Sequence, residues 1–262
     1  DAKGNLMIMV QGNKGMADFE LATYLERIIT DITARLYEEC GIVDGQVDSL
    51  FEEETEYGQM LVAGGRRRKR LPTLSDFYKK ALIKERKNKI TEHKKAYRIL
   101  LDSLKERVRE LYYCPDCLQF YTREQYEKGA LCPCKEGGRK LYKIQGVKSY
   151  FDGQSNVVID RDVKFTNIDL SQLPDEERSV ARLIALSFVT EHFIKRNAVN
   201  PKKTEHLGVI CDELHENFKS LPAVQKLDYV SRTSRKRLVS LWTATQALKD
   251  YQRMPETEAL LK

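Results

Sequence analysis

The sequence predicts an α/β protein: a parallel sheet with helices, carrying an all-helical insertion and a small cysteine-held, zinc-ribbon-like insertion. Three observations carry this. Leu207-Gly208-Val209-Ile210-Cys211 is a short apolar run ending on two acids, Asp212 and Glu213, the pattern of a buried parallel strand. Leu238-Val239-Ser240-Leu241-Trp242 is a second such run, and the polar stretch between the two has room for a helical crossover. Strand, crossover and strand make a βαβ unit with parallel pairing and right-handed connection. Upstream, helical periodicity dominates residues 17–111, and four cysteines cluster between Cys114 and Cys134.

Composition narrows the class. The 262 residues suffice for one or two domains, with 41% hydrophobic and 32% charged residues, a balance typical of soluble globular proteins. The most apolar stretch, 180–194, is broken by Arg182, Glu191 and His192, so no membrane-spanning helix or signal peptide is visible. The net charge of +6 is uneven: residues 66–109 hold 17 Lys/Arg against 5 Asp/Glu. Such a segment either meets an anionic partner or is a solvated helical face. The cysteines are clustered, as metal or redox cysteines are, and Cys40 and Cys211 stand apart, which suits a reducing compartment.

In chain order, Leu6–Val10 reads as a short first strand between Gly4 and Gly12. From Ala17 to Glu39, Leu21, Leu25, Ile28, Ile32 and Leu36 form a helical stripe, with Asp18 placed to cap it and Gly41 to end it. An acidic loop at 44–65 gives way to Arg66-Arg67-Arg68-Lys69-Arg70, a candidate contact for nucleic acid phosphates or a solvated loop. Thr73 and Asp76 have capping-box spacing before the next helix. A longer helix is expected from Thr91 to Leu111, apolar at Ala96, Ile99, Leu100, Leu104 and Val108.

Cys114-Pro115-Asp116-Cys117 and Cys132-Pro133-Cys134 are separated by fourteen residues. Two cysteine turns on a short hairpin can set four thiolates tetrahedrally around Zn²⁺, and with no acid among the ligands the site is closed and structural. The second pair is C-x-C where C-x-x-C is usual; a redox pair or free thiols are the alternatives. Beyond this module, Val157–Ile159 and Val163–Leu170 are expected strands, and Pro174 opens a helix reaching about Arg196. The organisation expected is a mainly helical 1–111, a cysteine module at 112–147 and a sheet-bearing 148–262.

Ligands of open α/β sheets sit outside the carboxyl ends of the strands. Asp212, Glu213 and Gln246 share that edge. An acidic pair there suits Mg²⁺ binding and activation of a water, and a glutamine suits contact with a terminal phosphate. Arg232-Thr233-Ser234-Arg235-Lys236-Arg237 precedes the second strand, far from the nucleotide edge of its own sheet. In a ring it could reach a neighbour's nucleotide; alternatively it is a helix end favoured by the dipole.

The run from Phe165 to Gln246 resembles the C-terminal ATPase domain of the conjugation ATPases of type IV secretion systems, RecA-like P-loop motors. The matching pieces are Ile168-Asp169-Leu170-Ser171, the helix after it, the Asp212-Glu213 strand end, the Arg-x-x-Arg-Lys segment and Thr243-Ala244-Thr245-Gln246. Pro72-Thr73-Leu74-Ser75-Asp76 and Phe151-Asp152-Gly153-Gln154 are similar to the family's helical insertion and its return. The resemblance implies an ATP-hydrolysing motor, hexameric in full-length form, that binds ATP and Mg²⁺. It would work with secretion-channel proteins at the cytoplasmic face of the bacterial inner membrane to power DNA or protein transfer or apparatus assembly. It implies Asp212 as the Mg²⁺-side acid, Glu213 as general base, Gln246 as sensor and Arg232 or Arg235 as the trans-acting arginine. Two departures stand out. No G-x-x-x-x-G-K-[ST] loop occurs in the chain, so this fragment alone is expected to be inactive. The cysteine module is not a general family feature, which suggests a docking element for a partner or DNA. The rival readings are a non-catalytic nucleic-acid-binding module and a structural subunit of a secretion complex.

Overall fold

The first helix forms where the sequence repeats apolar residues at helical spacing. α1 (Phe19–Glu39) buries Leu25, Ile28, Ile29, Ile32 and Leu36. It ends as expected at Gly41, whose φ of +66° is a left-handed conformation that glycine adopts without strain. The structure, a computed structural model, describes residues 6, 19–44, 46–50, 69–154, 165–175, 177–178, 180–188, 206–212, 227–229, 231–232 and 238–244. Residues 20–158 form one compact unit, and 1–19 with 159–262 form another.

In the 20–158 unit, α2 (Leu74–Lys87) starts on the expected capping box. The Asp76 N–H donates to the Thr73 hydroxyl, and the Thr73 N–H to the Asp76 carboxylate. α3 (Thr91–Lys105) runs back along it, buries Ala96, Tyr97, Leu100, Leu101 and Leu104, and pairs Arg98 with Glu85 at 3.1 Å. Fully buried leucines of this kind each stabilise by roughly 1.5–3 kcal/mol. α1 lies antiparallel to α2, because Lys84 pairs with Asp31 and Lys80 with Glu39. Tyr24 meets the His93 ring at 4.8 Å.

α3 stops at Lys105, short of the Leu111 the sequence suggests. The returning chain takes the backbone there: the Lys148 N–H donates to the Glu106 carbonyl and the Gly146 N–H to that of Val108, both at 2.8 Å. A Cβ at Gly146 would lie 2.1 Å from the Glu106 carbonyl oxygen, so only glycine fits. Val108 is still buried, and Leu111 belongs to a strand.

That strand opens the cysteine module. β1 (Leu111–Tyr113) pairs antiparallel with β2 (Phe120–Tyr121) and, on its other side, with β5 (Tyr142–Ile144). A one-turn helix α4 (Arg123–Glu127) and a second hairpin, β3 (Leu131–Cys132) with β4 (Arg139–Lys140), lie between β2 and β5.

The helices and the module are closed together by Asp152. Its carboxylate accepts from the Ser75 N–H at 2.9 Å, from the Ser75 hydroxyl and from the Arg109 N–H at 2.6 Å. Gln154 adds a reciprocal amide pair with Leu71, at 3.0 and 2.6 Å. The two stretches quoted separately for the resemblance, 72–76 and 151–154, thus form one clasp.

In the other unit, β6 (Leu207–Cys211) and β7 (Val239–Thr243) pair in parallel, in register from Leu207↔Val239 to Cys211↔Thr243. Residues 175, 177–178 and 180–188 are helical after Pro174, with Val180, Ala181, Leu183 and Leu186 buried. Three expectations need correction. β6 is not a buried strand: Leu207 and Val209 are half-buried, while Ile210 is 67% exposed and lies beside Trp242 at 65%. Only one face of the pair is covered. Residues 165–170 are not a strand; Phe165 and Ile168 are exposed, and the Asp169 carboxylate accepts the Ser171 N–H in a local turn. Leu6 is helical, not in a strand, and is buried, because a short apolar run does not distinguish strand from helix. Residues 7–10, 157–159 and Asp18 lie outside the described residues.

Two stability predictions follow from the 20–158 unit. Asp152→Ala strands two inward N–H groups and should destabilise the unit by about 2–4 kcal/mol in urea titration, with Asp152→Asn milder. The Lys84 ammonium, against the opposing effect of burial, lowers the pKa of Asp31. Its contribution is present above the ordinary carboxylate range and lost as pH falls through the lowered value. The unfolding midpoint should therefore fall between about pH 5 and 3, less steeply in Asp31→Asn.

Candidate functional site

The cysteine module brings its four predicted ligands together. The Sγ atoms of Cys114, Cys117, Cys132 and Cys134 all lie within 4.8 Å of one another, with Cys114–Cys134 at 3.5 Å and Cys117–Cys132 at 3.4 Å. Tetrahedral thiolates at about 2.3 Å from a zinc ion are spaced roughly 3.8 Å apart, so the cluster matches that size, and no disulfide occupies it.

Local sequence explains the convergence. Cys114 and Cys117 sit on the β1–β2 turn, where the Leu118 N–H donates to the Cys114 carbonyl at 2.9 Å. Leu118 adopts a left-handed φ of +59° to make that turn, a conformation that disfavours a bulky side chain. Cys132 and Cys134 sit on the β3–β4 turn, which Gly137 and Gly138 close with left-handed φ. At Gly138 a Cβ would come within 2.7 Å of the Leu131 Cβ. Asp116, between the first two cysteines, bridges the knuckles through ion pairs to Lys135 and Arg139, both at 2.9 Å. Cys114, Cys132 and Leu141 form the module's buried core with Tyr121, Tyr126 and Ala130 around it.

The thiols are electrostatically unequal. The Tyr121 hydroxyl, buried beside Cys132 outside ordinary hydrogen-bond geometry, brings that thiol down to about 6. Burial, together with the neighbouring sulfurs, pushes Cys134 up to about 12. Four thiolates at this spacing repel one another, and a divalent cation removes that repulsion.

The second candidate site is the acidic strand edge. Asp212 leaves β6 beside the point where Ala244 leaves β7, and the Ala244 N–H donates to the Cys211 carbonyl at 2.9 Å. The two strand ends are therefore level, and Asp212 is exposed there. Burial raises the Cys211 thiol pKa, which keeps it a neutral neighbour. Arg232 is exposed on a helical turn and pairs with Asp228 at 2.8 Å. Glu213, Arg235 and Gln246 lie outside the described residues.

The basic run is engaged at its described end. The Lys69 ammonium donates to the Gly41 carbonyl at 2.8 Å, capping the C-terminus of α1, and Arg70 lies 3.9 Å from Asp76. Arg66, Arg67 and Arg68 lie outside the described residues. Sequence reasoning missed a feature of the module itself. Tyr113, Phe120 and Tyr142 lie opposite one another on adjacent strands, a row that the spacing of aromatic residues around the cysteines could have suggested.

Among the described residues, no helix is long and apolar enough to cross a membrane. No protein-family model and no curated protein matches the chain. Among solved structures it is similar to VirB4 of Thermoanaerobacter pseudethanolicus, with a TM-score of 0.53 and 16% identity over 98% of this chain and 51% of that one. The chain thus spans about half the length of that structure, and at this identity what the two share is the fold.

Proposed function

We propose that this chain is the part of a type IV secretion or conjugation ATPase that carries the acidic strand edge of a RecA-like core. The observation that carries the reading is the level, parallel exit of Asp212 and Ala244 from β6 and β7. In the sequence Glu213 follows Asp212 directly and Gln246 follows Ala244 by two residues, and the VirB4-like fold supports the reading of a RecA-like core.

Bound Mg²⁺–ATP supplies the scissile phosphoryl group and most of the positive charge that steadies it. Asp212 would hold the metal on its carboxylate, directly or through water. Glu213 would take the proton of the attacking water. Gln246 would hydrogen-bond that water or the terminal phosphate. Arg232 or Arg235 would serve a neighbouring subunit's site in a homo-oligomer, the hexamer expected for such motors; Arg232 would first leave Asp228. The motor would work beside secretion-channel proteins at the inner face of the bacterial cytoplasmic membrane. The four cysteines would hold a structural Zn²⁺, since their spacing fits it and no ligand position is left for water.

Protein purified without chelator should carry about one zinc per chain, and stripping it should unfold the module while α1–α3 persist, as read by metal analysis, near-UV circular dichroism for the module's aromatics and far-UV circular dichroism for the helices. Metal-free protein with unchanged spectra would remove the zinc. These residues contain no G-x-x-x-x-G-K-[ST] loop, so turnover is best assayed in the full-length protein. There, Glu213→Gln should lower ATP hydrolysis by about 10²–10⁴-fold with nucleotide binding retained; turnover near wild type would refute the assigned base.

A further inference from the structure

We propose that the face of the cysteine module next to α2 and α3 binds single-stranded nucleic acid by stacking bases on an aromatic row. Three strands present the row. Tyr113 on β1 is directly opposite Phe120 on β2 and Tyr142 on β5, with ring centroids 6.1 and 6.3 Å away. Residues directly opposite in an antiparallel sheet share a face. Phe120 and Tyr113 are half-buried, and Tyr142 is 55% exposed. Aromatics set side by side on a small sheet are how many proteins hold unstacked bases, because every base offers a π-face.

The surroundings supply the other half of the ligand's chemistry. The Lys79 ammonium lies 5.7 Å from the Phe120 ring centre. Beside Tyr113 runs a cleft of about 290 Å³ between the α2–α3 hairpin and the first cysteine turn. Arg86, Lys94 and Arg98 line it, with Glu85 as its single acid. Arg98 pairs with Glu85, Arg86 donates to the Pro115 carbonyl at 2.6 Å, and Lys94 has no ion-pair partner among the described residues. Cations in an open cleft beside a row of rings match a strand whose phosphates and bases are both accessible. A duplex hides its base faces and cannot use the row. A peptide without acidic side chains would use the rings but leave the cations without counter-charge.

This face is distinct from the acidic strand edge, and it stands whether or not the protein hydrolyses ATP. It depends on the cysteine cluster only through the sheet that the cluster supports, so zinc content is measured on each variant.

The test is fluorescence anisotropy of the zinc-loaded chain with labelled oligo(dU), oligo(U) and a duplex of equal length, across a salt series. We expect saturable binding to single strands that falls as salt rises and weaker binding to the duplex. Oligo(dU) against oligo(U), which differ only in the sugar, identifies the backbone. Tyr142→Ala, at the exposed end of the row, should weaken binding at least about fivefold, with Tyr142→Phe close to wild type because the ring does the stacking. Lys94→Gln with Arg86→Gln should flatten the salt dependence. Binding indifferent to Tyr142→Ala at full zinc content, duplex preferred over single strand, or no binding at low salt would each overturn the proposal.

Discussion

The carboxylate of Asp152 is the point on which the 20–158 unit turns. A carboxylate that is only 4% exposed is expensive to bury unless its lone pairs are met. Here they are met by the N–H and hydroxyl of Ser75 and by the N–H of Arg109. Ser75 lies in the first turn of α2, where the helix leaves N–H groups unpaired and the dipole favours a negative charge. Arg109 lies between the end of α3 and β1. One side chain therefore fixes the start of α2, the exit of α3 and the return of the chain from the cysteine module. Gly146, pressed against the Glu106 carbonyl, holds the same crossing from the backbone side.

This anchoring sets the orientation of the module. β1 begins two residues after Arg109, and β5 ends two residues before Gly146. The central strand β1 and its edge neighbour β5 are thus both rooted at the clasp, and the face carrying Tyr113 is turned to the cleft beside α2 and α3. The sulfur cluster then sits at the far ends of these strands. Its closure depends on ligands from two separate turns, joined across by Asp116 to Lys135 and Arg139.

What could be read from the sequence was what is local. The stripe of α1, the Thr73–Asp76 box and the four cysteines each follow from spacing over a few residues, and each is present in the structure. The parallel pairing of β6 and β7 followed from a crossover argument of the same kind. What was illegible depends on partners far along the chain. Asp152 and Ser75 are 77 positions apart, and nothing near Asp152 marks it as a buried anchor. α3 stops at Lys105 because Lys148 and Gly146 compete for its continuation, although Val108 and Leu111 keep the helical spacing. Burial of β6 failed for a related reason: apolar composition favours a strand, but coverage of Ile210 and Trp242 requires a neighbour on their face. At the acidic edge the sequence alone names Glu213 and Gln246.

The charge asymmetry of residues 66–109 also changes meaning once it is folded. As a sequence, the excess of cations points most strongly to the run at 66–70. In the structure the cations divide by direction. Those of α2 that face α1, Lys80 and Lys84, are neutralised by Glu39 and Asp31. Lys69 is drawn to a helix C-terminus and Arg70 towards Asp76. On the opposite side of α2, Lys79 stands over Phe120 while pairing with Asp76 at 3.5 Å, and Arg86, Lys94 and Arg98 share a cleft with one glutamate, with which Arg98 pairs. Among the described residues of the segment, Arg86 and Lys94 have no ion pair, and both lie beside the cysteine module. Surface charge that is already paired adds little attraction for a polyanion, whereas clustered charge beside a low-dielectric wall is focused by it. The rings of Tyr113 and Phe120 form such a wall, so the cations of the cleft and the proposed stacking surface lie side by side.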